Sequence, residues 1–146
     1  MFPEYLFPYV VYLISLVVFG MAFWKGDRPL KLVALTLLVG WTLTPIVNRG
    51  DRYILNYPIT TIDTNCALIL VWISLRWRRV WCAVLAALTI LIVIVPLVHV
   101  FDHDIHLYNR YAANNILSNL QLVVIAMATR RVIRDRRRAD EGAVRP

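Results

Sequence analysis

Long apolar runs separated by short charged segments dominate the chain and predict membrane-spanning helices. The first run, Tyr5 to Trp24, contains no charged residue, and as a helix it is about 30 Å long, enough to cross the hydrocarbon core of a bilayer. Further runs cover 32–47, 59–75 and 80–100. The segment "RWRR" at 76–79 leaves room only for a tight antiparallel hairpin between the third and fourth runs.

A fifth span is predicted from 108 to 129 by its amphipathic pattern. At helical spacing its polar and apolar side chains separate to opposite sides. The polar side contains Asn114, Asn115, Ser118, Asn119 and Gln121, and the apolar side contains Ile116, Leu117, Leu120, Val123, Val124 and Met127. We therefore expect one side to meet lipid and the other to meet protein or water.

The third run is the weakest span by hydropathy, but the distribution of basic residues indicates that it crosses the membrane. Its first residues include Thr60, Thr61, Asp63, Thr64 and Asn65. With five spans, the segments that share a side with the C-terminus contain Lys25, Arg28, Lys31, Arg76, Arg78, Arg79, Arg130, Arg131, Arg134, Arg136, Arg137, Arg138 and Arg145. The opposite side has only Arg49, Arg52 and Arg110. The positive-inside rule then places the N-terminus outside and the C-terminus in the cytoplasm.

Composition agrees with this assignment. Apolar residues make up 60% of the 146-residue chain, more than a soluble domain usually carries. A signal peptide is disfavoured, because Glu4 is the only charge before the first run and no small-residue cleavage pattern follows it. The predicted fold is therefore an all-α polytopic bundle over 1–129, in the inner (cytoplasmic) membrane, followed by a basic cytoplasmic tail over 130–146. Cys66 and Cys82 are expected at different depths, too far apart for a disulfide.

The tail "RRVIRDRRR" accounts for much of the net charge of +7. Its arginines are Arg130, Arg131, Arg134, Arg136, Arg137 and Arg138. Such a segment can fix topology as a stop-transfer anchor and can bind anionic lipid headgroups. We do not expect a nucleic-acid partner, since a short basic tail carries no recognition module.

Polar residues inside the spans gather toward the outer end of the predicted bundle. They are Asn48, Asp63, Asn65, Asn114, Asn115, Asn119 and Gln121. Because a charged Asp at mid-membrane costs about 2.5 to 3.5 kcal/mol, Asp63 should lie near the interface, be protonated or be paired. Two interpretations stay open: a hydrated cavity for an ion, a proton or a small polar ligand, or hydrogen bonds between helices that fix their packing. Ala83 and Ala87 add a small-xxx-small pair on the fourth span.

The stretch "HVFDHDIH" at 99–106 holds every histidine of the chain. If the fourth helix continues past Val100, four side chains share one face: His99, Asp102, His103 and His106. A divalent metal could then bind, with Asp63 or Cys66 of the neighbouring span as a further ligand. A pH-sensing group and a plain solvated linker are the alternatives. No other cofactor is expected.

No phosphate loop, dinucleotide fingerprint or nucleophile elbow is present, which favours a non-enzymatic protein. In topology and charge the chain resembles the phage holins, which lie with the N-terminus outside and a basic tail inside and typically have three spans. That resemblance implies an oligomer that permeabilises the inner membrane. The alternatives are a metal- or proton-linked transport or sensing protein that uses the outer polar cavity, and an accessory subunit of a larger membrane complex.

Overall fold

The computed structural model describes residues 3–47, 57–101 and 107–143, with side chains over 10–47, 57–98 and 112–141. Within these residues every element is an α-helix, which confirms the predicted all-α fold. The helices are α1 (Pro3–Lys25), α2 (Arg28–Val47), α3 (Tyr57–Trp77), α4 (Val80–Phe101) and α5 (Leu107–Ala143). Each predicted span lies inside one of them.

Four helices, α2 to α5, are long and apolar enough to cross a membrane. Over its described side chains α1 is a shorter apolar helix, Val10–Lys25. The predicted boundary between span and tail at residue 130 is not a break in the backbone, because α5 continues without interruption to Ala143. The basic segment is thus a helical extension of the fifth element.

The helices form a closed ring. Each helix packs against the next one in the chain, while α5 returns to pack against α1 and also touches α2. Two-residue connections join α1 to α2 and α3 to α4. Arg78, in the second connection, has φ 49°, the left-handed conformation that commonly ends a helix. Its backbone N–H donates to the Ser74 carbonyl oxygen at 2.8 Å.

Polar contacts bring both short connections and the far part of α5 together at one end of the bundle. Arg79 Nη1 lies 2.7 Å from Asp27 Oδ2, and Arg136 Nη2 donates to the Gly26 carbonyl oxygen at 3.4 Å. We call this the basic end, since the described lysines and arginines lie at or near it. These segments are the ones that the charge pattern assigned to a common side.

The half of the bundle next to the basic end has a closed apolar core. The side chains of Leu30, Val33, Leu37, Leu70, Ile73, Leu85 and Ile125 are each 3% exposed or less. All lie within about 14 Å of the basic end, counted at 1.5 Å of helical rise per residue. The described residues therefore leave no polar path through this half of a single copy.

Helices α2 and α3 approach closely above that core. A Cβ atom at Gly40 would lie 2.9 Å from Cys66 Sγ, so only glycine fits there without movement. The Cys66 thiol also contacts the Thr36 carbonyl oxygen, at 3.7 Å. This contact sets the spacing of α2 and α3 just below the half of the bundle that carries the polar residues.

Candidate polar site in the helix bundle

Asp63 lies on the face of α3 that is turned toward the other helices. It shares that face with the buried Cys66 and Leu70, three and seven residues further on. The side chain is half-buried, and the described residues provide it with no hydrogen bond or ion pair. At 1.5 Å of helical rise per residue it lies about 21 Å from Trp77 at the basic end and about 9 Å from Tyr57, so its carboxyl group is near the opposite end of the bundle.

Gln121 is the most buried polar side chain of α5, with 1% of its surface exposed. Its Nε2 donates to Thr89 Oγ1 of α4 at 2.8 Å, while its Oε1 is buried with no hydrogen-bond partner. Both residues lie near the middle of the spans, about 14 Å from the basic end. One half of the Gln121 amide is therefore used between helices, and the other half is an unused acceptor.

Asn114 lies seven residues before Gln121, on the same face of α5. Its Oδ1 is buried and also has no hydrogen-bond partner. Counted from Arg130, Asn114 is about 24 Å from the basic end, close to the height of Asp63. The inward face of α5 thus carries two unpaired carbonyl oxygens, one near the middle and one toward the opposite end.

The threonines of this region are satisfied within their own helices. The hydroxyls of Thr42, Thr44, Thr61, Thr64, Thr89 and Thr129 each donate to the carbonyl oxygen four residues earlier. Asn65 does the same through its amide, Nδ2 donating to the Thr61 carbonyl oxygen at 2.9 Å. Two hydrogen bonds within the spans join different helices, from Gln121 to Thr89 and from Cys66 to the Thr36 carbonyl oxygen.

The unpaired groups of the bundle interior share one chemistry. Asn114 Oδ1 and Gln121 Oε1 are buried acceptors without a partner, and Asp63 adds a half-buried carboxyl group. A further buried and unpaired oxygen, Asp27 Oδ1, lies at the basic end. Described cationic side chains also lie at the basic end, and the core next to it is apolar. A buried acceptor without a partner costs free energy. Asp63 and Asn114, which lie at similar heights, can accept hydrogen bonds from a bound donor or coordinate a small cation through oxygen. Gln121 lies about 10 Å further along α5, toward the basic end.

The structure divides the polar residues that the sequence grouped together. Asn114 and Gln121 turn inward, whereas Asn65, Asn115 and Asn119 are exposed on the outer surface of the bundle. Sequence reasoning missed Thr89 as the partner of Gln121. The available signal was its position as a lone hydroxyl in the most apolar span, where a polar side chain needs a partner.

The predicted metal ligands fall mainly outside the described side chains. His99 belongs to α4, and Asp102, His103 and His106 follow it, but their side chains lie outside the described residues, as does Asn48. Over the part that is described, no three His, Cys, Asp or Glu side chains are grouped to hold a metal ion. The divalent-metal hypothesis stays a prediction.

The two cysteines and the basic segment complete the set of predicted features. Cys66 and Cys82 are buried free thiols, as expected. The arginines predicted to meet headgroups, from Arg130 to Arg138, are exposed on α5. Arg136 among them also contacts Gly26, so this segment is held against the α1–α2 connection.

Comparisons of the chain with models of known protein families, with curated proteins and with solved structures found no match. The function proposed for the chain therefore rests on the geometry of the bundle.

Proposed function

We propose that the chain is a five-span protein of the cytoplasmic membrane, with the N-terminus outside and the C-terminus in the cytoplasm. Four helices have the required length and hydropathy. The fifth, α1, extends over 23 residues, enough to span about 30 Å. All twelve lysines and arginines whose side chains are described lie at or near the basic end, and the positive-inside rule assigns that end to the cytoplasm.

In this orientation the polar half of the bundle faces outward. The proposed function is non-enzymatic binding of a small cation, or of a small polar solute that donates hydrogen bonds, from the outer side. One observation carries this proposal: the half-buried carboxyl group of Asp63 and the buried Asn114 Oδ1 lie at similar heights toward the outer end, and neither has a hydrogen-bond partner among the described residues. A bound donor would satisfy them, as buried polar groups in proteins generally are satisfied.

The apolar core below the site limits what one copy can do. Leu37, Leu70 and Leu85 are each 3% exposed or less and lie between the site and the cytoplasmic end. An ion at the site would have to cross this dry layer, which lacks the hydrogen-bonding groups that replace hydration in a pore. Binding and sensing from outside are therefore favoured over conduction through a single copy.

A cation panel tests the proposal on the purified protein. Unfolding is followed in detergent with chloride salts of Na⁺, K⁺, NH₄⁺, Mg²⁺ and Ca²⁺ at constant ionic strength. A cation that binds the folded state raises the unfolding midpoint, by mass action. The shift should disappear in Asp63→Asn and persist in the matched variant Asp140→Asn, whose carboxylate is exposed on the tail. An equal shift in both variants, or no shift with any cation, would refute the cation site.

The orientation has a separate test. A reporter that fluoresces only in the cytoplasm should be active at the C-terminus and inactive at the N-terminus. If both termini lay on one side of the membrane, the number of spans would be even. The polar half of the bundle could then not be assigned to the outside. Cation binding to the purified protein does not depend on orientation, so the two failures are distinguishable.

Permeabilisation of the membrane by an oligomer, as holins do, is the second candidate. It is favoured by Asn115 and Asn119, which are exposed on a helix that is apolar enough to span the membrane. Because the core of one copy is closed, the hole would have to form between copies. Controlled expression should then depolarise the membrane abruptly, and cells that keep their membrane potential at high expression would refute this candidate.

A further inference from the structure

The exposed surface of α5 carries two amides that the bundle does not use. Asn115 and Asn119 are both exposed, and neither has a hydrogen bond within the described residues. They lie four residues apart and therefore on one side of the helix, next to each other. Asn65 on α3 is also exposed, but its amide already donates to the Thr61 carbonyl oxygen. The α5 pair is the one that needs an external partner.

The depth of the two amides in the bilayer indicates that their partner is a protein. Asn119 lies eleven residues before Arg130, about 16 Å along the helix, so it is near the middle of a hydrocarbon core of about 30 Å. Asn115 lies about 6 Å closer to the outer surface. Lipid chains offer no hydrogen bonds at these depths, so polar groups there pair with protein.

Two alanines lie in line with the two asparagines, while Leu122 and Val123 flank this line between Asn119 and Ala126. Ala112, Asn115, Asn119 and Ala126 follow one another at spacings of three, four and seven, which keeps them on one side of α5. All four are exposed or half-buried. Small side chains along one line let a second helix approach closely, as in many membrane interfaces. We call these four residues the α5 stripe.

We propose that two copies of this chain associate through the α5 stripe, with Asn115 and Asn119 of one copy hydrogen-bonded to the same residues of the other. The proposal rests on the membrane location of α5 and is independent of the cation site.

A second copy fits this surface better than an unrelated partner for two reasons. A primary amide has both donor and acceptor groups, so it is complementary to itself across a twofold axis. Two copies inserted with the same orientation are related by an axis along the membrane normal, so their α5 helices run parallel. Asn119 then meets Asn119 of the other copy at equal depth, and Asn115 meets Asn115. Buried asparagines fix register in parallel helix pairs in the same way.

Disulfide cross-linking tests the geometry in native membranes. In a background with Cys66→Ala and Cys82→Ala, which keeps both asparagines, single cysteines are introduced by Ala126→Cys, Met127→Cys and Ala83→Cys, and copper phenanthroline is the oxidant. Met127 is exposed at nearly the same depth as Ala126 but is turned about 100° away around the helix. Ala126→Cys should give a covalent dimer rapidly and the other two should not. Equal rates at all three positions, or faster cross-linking at Ala83→Cys, would overturn the proposal.

Association is measured separately with leucine replacements. The double variant Asn115→Leu, Asn119→Leu should weaken the dimer by about tenfold or more in detergent or bilayers, since the interhelical amide bonds are lost. The matched variant Asn65→Leu should leave association unchanged. Both proteins should retain a cooperative unfolding transition, which shows that the single-copy fold remains. An unchanged dimer in the double variant, or a larger assembly with another protein in place of the dimer, would also overturn it.

Discussion

The Gln121 side chain of α5 donates from Nε2 to the Thr89 hydroxyl of α4 at 2.8 Å, in the middle of the bundle. Thr89 in turn donates to the Leu85 carbonyl oxygen at 2.8 Å. The two residues are 1% and 3% exposed. This pair marks the boundary between the closed apolar core and the half of the bundle with unpaired acceptors.

The hydrogen bond between Gln121 and Thr89 predicts that two single substitutions lower the free energy of unfolding by different amounts. Thr89→Val removes the acceptor of a buried amide N–H and should lower the free energy of unfolding by about 1 to 3 kcal/mol. Gln121→Leu removes an amide whose oxygen is already unpaired, while Thr89 keeps its own partner, so the loss should be smaller. The double variant should resemble Gln121→Leu. Unfolding by SDS in mixed micelles measures all three, and equal losses in the single variants would contradict the account.

The contact between Gly40 and Cys66 predicts a destabilising methyl group. Gly40→Ala places a Cβ 2.9 Å from Cys66 Sγ, and the overpacking should cost about 1 to 3 kcal/mol. The loss should shrink when Cys66→Ala is also present. Gly20→Ala is the matched control, because a Cβ there meets nothing within 4 Å. A Gly40→Ala protein as stable as the Gly20→Ala protein would contradict the close packing of α2 and α3.

The left-handed conformation of Arg78, with φ 49°, predicts that glycine is favourable there. Arg78→Gly should raise the free energy of unfolding by about 1 kcal/mol, because a Cβ is strained in this region. Arg76→Gly, two residues earlier in the last turn of α3, should lower it by about 1 kcal/mol through helix propensity. Thermal unfolding in detergent gives both values. Changes of the same sign would show that Arg78 carries no such strain.

The Asp27–Arg79 pair joins the two short connections at the basic end. Its side chains are 24% and 44% exposed, so water screens the pair and its contribution should stay below about 1 kcal/mol. A double-mutant cycle of Asp27→Asn and Arg79→Gln measures the coupling, which should weaken further in high salt. A larger coupling that does not respond to salt would mean that the pair is shielded from solvent.

The helices were predictable from the sequence because spans of about 20 apolar residues have few other stable states. The short connection between α3 and α4 followed from the spacing between the third and fourth runs, whereas the equally short connection between α1 and α2 was not predicted. The continuation of α5 to Ala143 was not anticipated, since a run of arginines gives no apolar pattern. It is held in part by Arg136, whose contact with Gly26 joins residues far apart in sequence.

The candidate site was predictable only as a set of residue types. The amphipathic pattern placed Asn114, Asn115, Asn119 and Gln121 on one side of α5, but that side is wide. Packing against α1, α2 and α4 decides which part of it is covered. It turns Asn114 and Gln121 inward and leaves Asn115 and Asn119 exposed. A single helix's periodicity cannot show where its neighbours lie.

Access of a charged thiol reagent shows whether the polar half of the bundle opens to the outside above a sealed core. In the background lacking Cys66 and Cys82, Asn114→Cys and Leu37→Cys are treated with a membrane-impermeant maleimide, applied either to intact cells or to inverted membrane vesicles. Asn114→Cys should be labelled from the outside only, and Leu37→Cys, within the closed core, should be labelled from neither side. Labelling of Leu37→Cys from outside, or protection of Asn114→Cys from the outside reagent, would contradict an outward-facing polar site above a sealed core.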